Sequence, residues 1–174
     1  MSGTLHNKRN AFRSFRTFGA TSRYFRGGAT SNFDEVIVPD SPDFPTGAQT
    51  WSCWVKPARL TTHNSGQDMM TKWGDQGSNE LSAILFLSNS FGGGQPQFYI
   101  SSNGSNVFLA ASSVSLTVDT WHHIVGVFTP STSMQIYVDG VLTGSNTTSI
   151  PSAVHDSPAD FVIGWRDFSF VATF

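Results

Sequence analysis

From about residue 34 the chain is a succession of short apolar runs, rich in β-branched and aromatic residues and cut by Gly, Ser, Asn and Pro. No stretch holds a helical 3.6-residue period beyond one turn. Glu35-Val36-Ile37-Val38 stops at Pro39-Asp40-Ser41-Pro42, and the alternating Trp51–Val55 stops at Lys56-Pro57. Asp68–Trp73 and Leu81–Leu87 flank the turn-rich Gly74–Asn79. Gln97–Ile100, Val107–Ala111, Trp121–Phe128, Met134–Val138 and Phe161–Trp165 follow. Short runs with regular turn signals predict an all-β sandwich of two antiparallel sheets. Asp139-Gly140 between two apolar runs predicts a type I′ hairpin, because that turn needs positive φ at both central positions. Ser112–Thr120 and Thr143–Ser152 read as loops or edge strands.

At 174 residues the chain is long enough to build a core without metal or disulfide. Aromatic residues make up 13% of it, and they are expected to fill the ~10 Å layer between the sheets. The single cysteine, Cys53, excludes an intrachain disulfide and alternates with Trp51 and Val55, so it reads as a buried strand residue. No apolar run is long enough for a membrane-spanning helix.

The net charge of -2 hides two unlike parts. Residues 1–26 hold Lys8, Arg9, Arg13, Arg16, Arg23 and Arg26 and no acid, while the rest carries four bases against twelve acids. Residues 1–21 read as a basic arm and 22–174 as the folded domain.

Several residue sets together resemble one family. They are Trp51-Ser-Cys-Trp-Val-Lys-Pro57, Thr71-Lys-Trp-Gly74, Thr120-Trp-His-His-Ile-Val-Gly-Val-Phe128, Met134-Gln-Ile-Tyr-Val-Asp-Gly-Val141 and Phe161-Val-Ile-Gly164. In this order they resemble a laminin-G-like domain of the concanavalin A-like lectin/glucanase group, and Asn32–Asp43 resembles that family's first strands. The resemblance covers about residues 22–174 and implies a jelly-roll, while the arm of residues 1–21 lies outside the family pattern. The family's last strand continues beyond the pattern found here, so that strand is shortened, or the chain continues past Phe174, or another segment fills the gap.

Glucanases of that fold use two glutamates on one face of a strand, one attacking while the other donates a proton. This chain has only Glu35 and Glu80, far apart in sequence, so no glycosidase is expected. No Gly-x-Ser-x-Gly elbow, phosphate loop or zinc spacing is present. His122 and His123 are adjacent, and adjacent strand residues point to opposite faces, so they do not form a metal pair. Some laminin-G-like and pentraxin relatives bind calcium at a sandwich rim, and the resemblance implies such a site here through the oxygen ligands of Asp75, Asn79 and Glu80 on one loop. A solvated polar loop is the simpler reading of that set.

A glycan site needs an exposed aromatic ring beside amide and carboxylate groups. Trp73 with Asp75, Gln76 and Asn79 is one candidate, and Trp165 with Arg166 and Asp167 is another. Core packing is the competing reading of both tryptophans.

In the arm, Phe12, Arg13, Phe15, Arg16 and Phe18 repeat at three-residue spacing, and Arg23 and Arg26 extend the theme. Phe anchors with Arg partners suit docking on the protein subunits of a larger assembly. Nucleic acid, an anionic membrane surface and packing on the acidic body are the weaker alternatives. The N-terminus lacks the apolar stretch of a secretory signal. The expectation is therefore a non-catalytic recognition module on a virion or other extracellular surface, such as a decoration or fibre protein, with a possible cell-surface glycan ligand. The alternative is a free carbohydrate-binding lectin, with or without calcium.

Overall fold

The computed structural model describes Phe25 and residues 35–60, 67–74, 79–88 and 93–164. These residues form ten β-strands: β1 (Val36–Val38), β2 (Gln49–Val55), β3 (Gln67–Trp73), β4 (Leu81–Ser88), β5 (Gln95–Ile100), β6 (Phe108–Ala111), β7 (His122–Thr129), β8 (Ser133–Val138), β9 (Val141–Asn146) and β10 (Phe161–Ile163). One sheet has the order β1-β10-β3-β4-β5-β6 and the other β2-β7-β8-β9, and every pairing is antiparallel. The two-sheet sandwich expected from the turn rhythm is what forms. Among the described residues no helix is long and apolar enough to cross a membrane.

Period-two alternation sets the core. Trp51, Ile124, Phe128, Met134 and Ile136 from the four-stranded sheet meet Met69, Leu85, Leu87, Phe98 and Ile100 from the six-stranded one. Each such buried side chain contributes roughly 1.5–3 kcal/mol relative to exposure. Trp51 lies 6.0 Å from Phe98 and 5.4 Å from Phe161, ring centre to ring centre. Gly126, opposite Trp51 on β7, lets the sheets approach this closely, since a Cβ there would sit 2.6 Å from Phe98 Cγ. Cys53 points toward the same core, its Sγ 3.7 Å from Met69 Sδ.

The hairpin between β8 and β9 has φ of +52° at Asp139 and +80° at Gly140, as a type I′ turn requires. Thr143–Asn146, read as loop or edge, belongs to the edge strand β9.

The aromatics do not all fill one layer. All eight residues of β4 are buried. Ala83, Leu85 and Leu87 face the main core, so Ile84 and Phe86 lie on the reverse of the sheet, where they cluster with Trp73, Leu81 and Tyr99. A third group of aromatics lies on the water side of the other sheet.

Lys72 is a further departure from simple patterning. It is 1% exposed, at the end of the main core beside Ala83. Its ammonium donates to the Asp40 carboxylate and to the carbonyls of Ser157 and Ala159, both at 2.7 Å, and lies 5.0 Å above the Phe44 ring. One buried cation thus ties together the segment after β1, the strand β3 and the loop before β10.

Candidate binding face on the four-stranded sheet

In β2 the burial alternates, with Trp51 inside and Ser52 and Trp54 outside. Antiparallel pairing sets Trp54 opposite His123 and Ser52 opposite Val125. Val125 in turn faces Tyr137, which faces Leu142 on β9. The result is one continuous outward surface across all four strands.

Its most prominent feature is Trp54, 65% exposed, with its indole stacked on the His123 imidazole. The ring centres are 5.0 Å apart and the planes 22° from parallel. Ser52 Oγ and His123 Nε2 are hydrogen-bonded at 2.8 Å, which holds the imidazole against the indole. The Tyr137 hydroxyl donates to Gln135 Oε1 at 3.2 Å on the same face. Trp121, just before β7, is 48% exposed. An exposed, braced aromatic surface bordered by hydroxyl and amide groups is a surface for a flat, partly apolar ligand.

The neighbouring His122 points inward and has a different task. The Thr117 N–H donates to its Nε2 at 3.1 Å, which leaves the ring proton on Nδ1, facing Asp139 Oδ2 at 2.8 Å. Asp139 Oδ1 also accepts the His123 N–H at 2.8 Å. These bonds hold the Asp139 carboxyl below its ordinary 3.8, the His122 hydrogen bond being the largest cause. The two histidines lie on opposite faces, so they do not chelate one ion. Ser52–His123 has the look of a nucleophile and base, but the nearby Asp139 carboxylate is bonded to the ring of His122 rather than to that of His123.

The residues singled out from the sequence fare differently. Trp73 is 3% exposed and packs with Leu81, Ile84, Phe86 and Tyr99, so its ring offers no stacking surface; the reverse of the sheet claims it. Asn79 sits at φ +58°, its carboxamide oxygen accepting from Ser105 Oγ and its carbonyl bonded to His155 Nε2 at 3.0 Å. Its oxygens brace the loops at one end of the sandwich. The Glu80 carbonyl accepts from the Gly74 N–H at 2.9 Å and Ser157 Oγ at 2.7 Å, and its side chain fills the space beside Gly74. Among the described residues no group of three or more His, Cys, Asp or Glu side chains could hold a metal ion. Asp75, Gln76, Trp165 and Asp167 lie outside the described residues, as do Phe12, Arg13, Phe15, Arg16, Phe18, Arg23 and Arg26 of the arm. Glu35 and Glu80 precede β1 and β4, three places apart in one sheet, and do not share a strand.

Trp54 and His123 were missed as site residues, although the signal was available. With Trp51, Cys53 and Val55 inward, alternation places Trp54 outward.

The described residues thus define a two-sheet jelly-roll with an open aromatic face on its four-stranded sheet. By its residues 30–174 the chain belongs to the concanavalin A-like lectin/glucanases superfamily, in its laminin-G-like branch. Among curated proteins no sequence matches it. Among solved structures it is similar to the binding domain of Paraclostridial Mosquitocidal Protein 1, with a TM-score of 0.66, 13% identity, and coverage of 86% of this chain and 37% of that one. Domain 4 of AbnA, an extracellular arabinanase from Geobacillus stearothermophilus solved with arabinotriose, is also similar, with a TM-score of 0.58, 18% identity, and coverage of 92% and 72%. So is the ligand-binding domain of botulinum neurotoxin serotype D solved with N-acetylneuraminic acid, with a TM-score of 0.57, 16% identity, and coverage of 75% and 32%. At these identities the likeness is one of fold. The chain spans about a third of the length of the two toxin structures.

Proposed function

We propose that this chain is a non-catalytic carbohydrate-binding module whose sugar platform is Trp54 stacked on His123. The observation that carries this is a large, flat, water-facing indole held rigid by a second ring and a hydrogen bond. An unsupported exposed indole would lose rotamer freedom on binding, and bracing removes that cost in advance. The negative face of an aromatic ring favours the weakly positive C–H face of a sugar. Ser52 and Gln135 add hydroxyl and amide groups within the same surface. Neighbours of the same fold solved with arabinotriose and N-acetylneuraminic acid support the reading.

The test compares the wild type with Trp54→Ala on a glycan array and by titration calorimetry. Binding weakened at least ~10-fold, about 1.4 kcal/mol, at an unchanged melting temperature is expected. Equal binding by both proteins would refute the platform.

We read the Phe/Arg arm as the tether that holds the module on a larger assembly. The short span of this chain against its toxin neighbours fits a module within something larger. The finer expectation, a virion decoration or fibre protein, rests on the arm. Calcium dependence, expected from Asp75, Asn79 and Glu80, is checked by repeating the array with a chelator.

A further inference from the structure

We infer that the platform takes an uncharged, linear glycan several sugar units long, rather than a single acidic terminal sugar. This rests on the carbohydrate reading and narrows it to a ligand class.

The first argument is charge. The four strands of the sheet read QTWSCWV, HHIVGVFT, SMQIYV and VLTGSN, with no Asp, Glu, Lys or Arg in any of them. A sugar carboxylate is held by the fork of an arginine or by an ammonium, because desolvating it without a partner is costly. The ladders supply neither. The charges that adjoin them along the chain are Lys56, exposed just past β2, and Asp139, whose carboxylate is already occupied by His122 and the His123 N–H. Hydroxyls and amides remain, and these pair with neutral sugar hydroxyls.

The second argument is extent. Strands in a sheet lie ~4.8 Å apart, so Tyr137 on β8 is about 10 Å across the ladder from Trp54 on β2. That separation exceeds one sugar ring. Leu142, 47% exposed on β9, continues the apolar track by one more strand. Aromatic and apolar surface therefore recurs across the sheet instead of converging on one pocket.

The experiment uses the full chain. An array carrying both neutral and sialylated glycans selects ligands. Titrations at low and high salt then follow the best neutral tetrasaccharide, its disaccharide and monosaccharide, and 3′-sialyllactose. The expected result is binding of the neutral tetrasaccharide about ten-fold or more tighter than its monosaccharide, indifferent to salt. Trp54→Ala and Tyr137→Ala should each weaken it, and Lys56→Gln should not. Salt-sensitive binding of sialyllactose alone, loss on Lys56→Gln, or affinity flat with chain length would overturn this inference and leave the carbohydrate reading standing. An array on which no glycan binds would overturn both.

Discussion

Trp54 and His123 stack across the β2–β7 ladder with ring centres 5.0 Å apart, on the side of the sheet that faces water. The pair contributes little to the core, so its disruption should separate binding from stability. His123→Ala removes both the ring beneath Trp54 and the Ser52 hydrogen bond. Glycan affinity should drop by about 5- to 10-fold, the ~1 kcal/mol scale of an aromatic pair. Unfolding by urea should shift by no more than ~0.5 kcal/mol, as for other surface changes. His123→Phe keeps the stack and should recover most of the affinity, whereas Ser52→Ala should have an intermediate effect.

Lys72 is the reverse case, a charge whose loss should be felt by the fold and not by the binding face. Lys72→Met preserves length and volume but leaves the carbonyls of Ser157 and Ala159 without their donor. Breaking a buried charged network of this kind costs roughly 3 kcal/mol. Urea denaturation should show this loss, and the glycan titration of the folded protein should be unchanged.

Acid stability should follow the two carboxylates that the fold pulls down. The hydrogen bond from Lys72 lowers Asp40, and that from His122 lowers Asp139, both from an ordinary 3.8. A carboxyl that is more acidic when folded adds stability that is fully present above its unfolded value. That stability is lost as pH falls through the folded value. The stability curve should therefore be flat with respect to these groups above about pH 5 and decline below about pH 4. In Asp139→Asn the decline should be shallower, as read from melting temperature against pH.

Cys53 should be inert while the domain is folded. Burial against the Met69 thioether pushes its thiol up to about 12, so almost no thiolate exists at pH 8. A maleimide or disulfide reagent should label the native protein slowly and the urea-unfolded protein at once. Labelling at equal rates would show that this side of β2 opens readily.

Much of the architecture was legible because turn chemistry and alternation act locally. Each apolar run named from the sequence overlaps a strand, and Asp139-Gly140 makes the expected turn. What escaped was set by non-local geometry. Trp73 sits at a register shift between Lys72 and Trp73, where β3 no longer matches β4 residue for residue. No periodicity shows that the reverse of its sheet is buried too. Lys72 reads as a solvated strand residue until Asp40, Ser157 and Ala159, distant in sequence, are brought to it. Trp54 was legible by parity, yet a tryptophan in a strand is more often core, and only its pairing with His123 marks it as a platform.

The double burial of β4 bears on how this domain can change. A sheet filled on both faces tolerates few substitutions, because each side chain of β4 is already constrained by volume. The outward side of β2, β7 and β8 carries no such constraint, and its alternate positions can be exchanged while Trp51, Ile124, Phe128 and Ile136 hold the inner side. Ser52, Trp54, His123 and Tyr137 can thus be exchanged by lineage or by library with the six-stranded sheet as an unedited chassis.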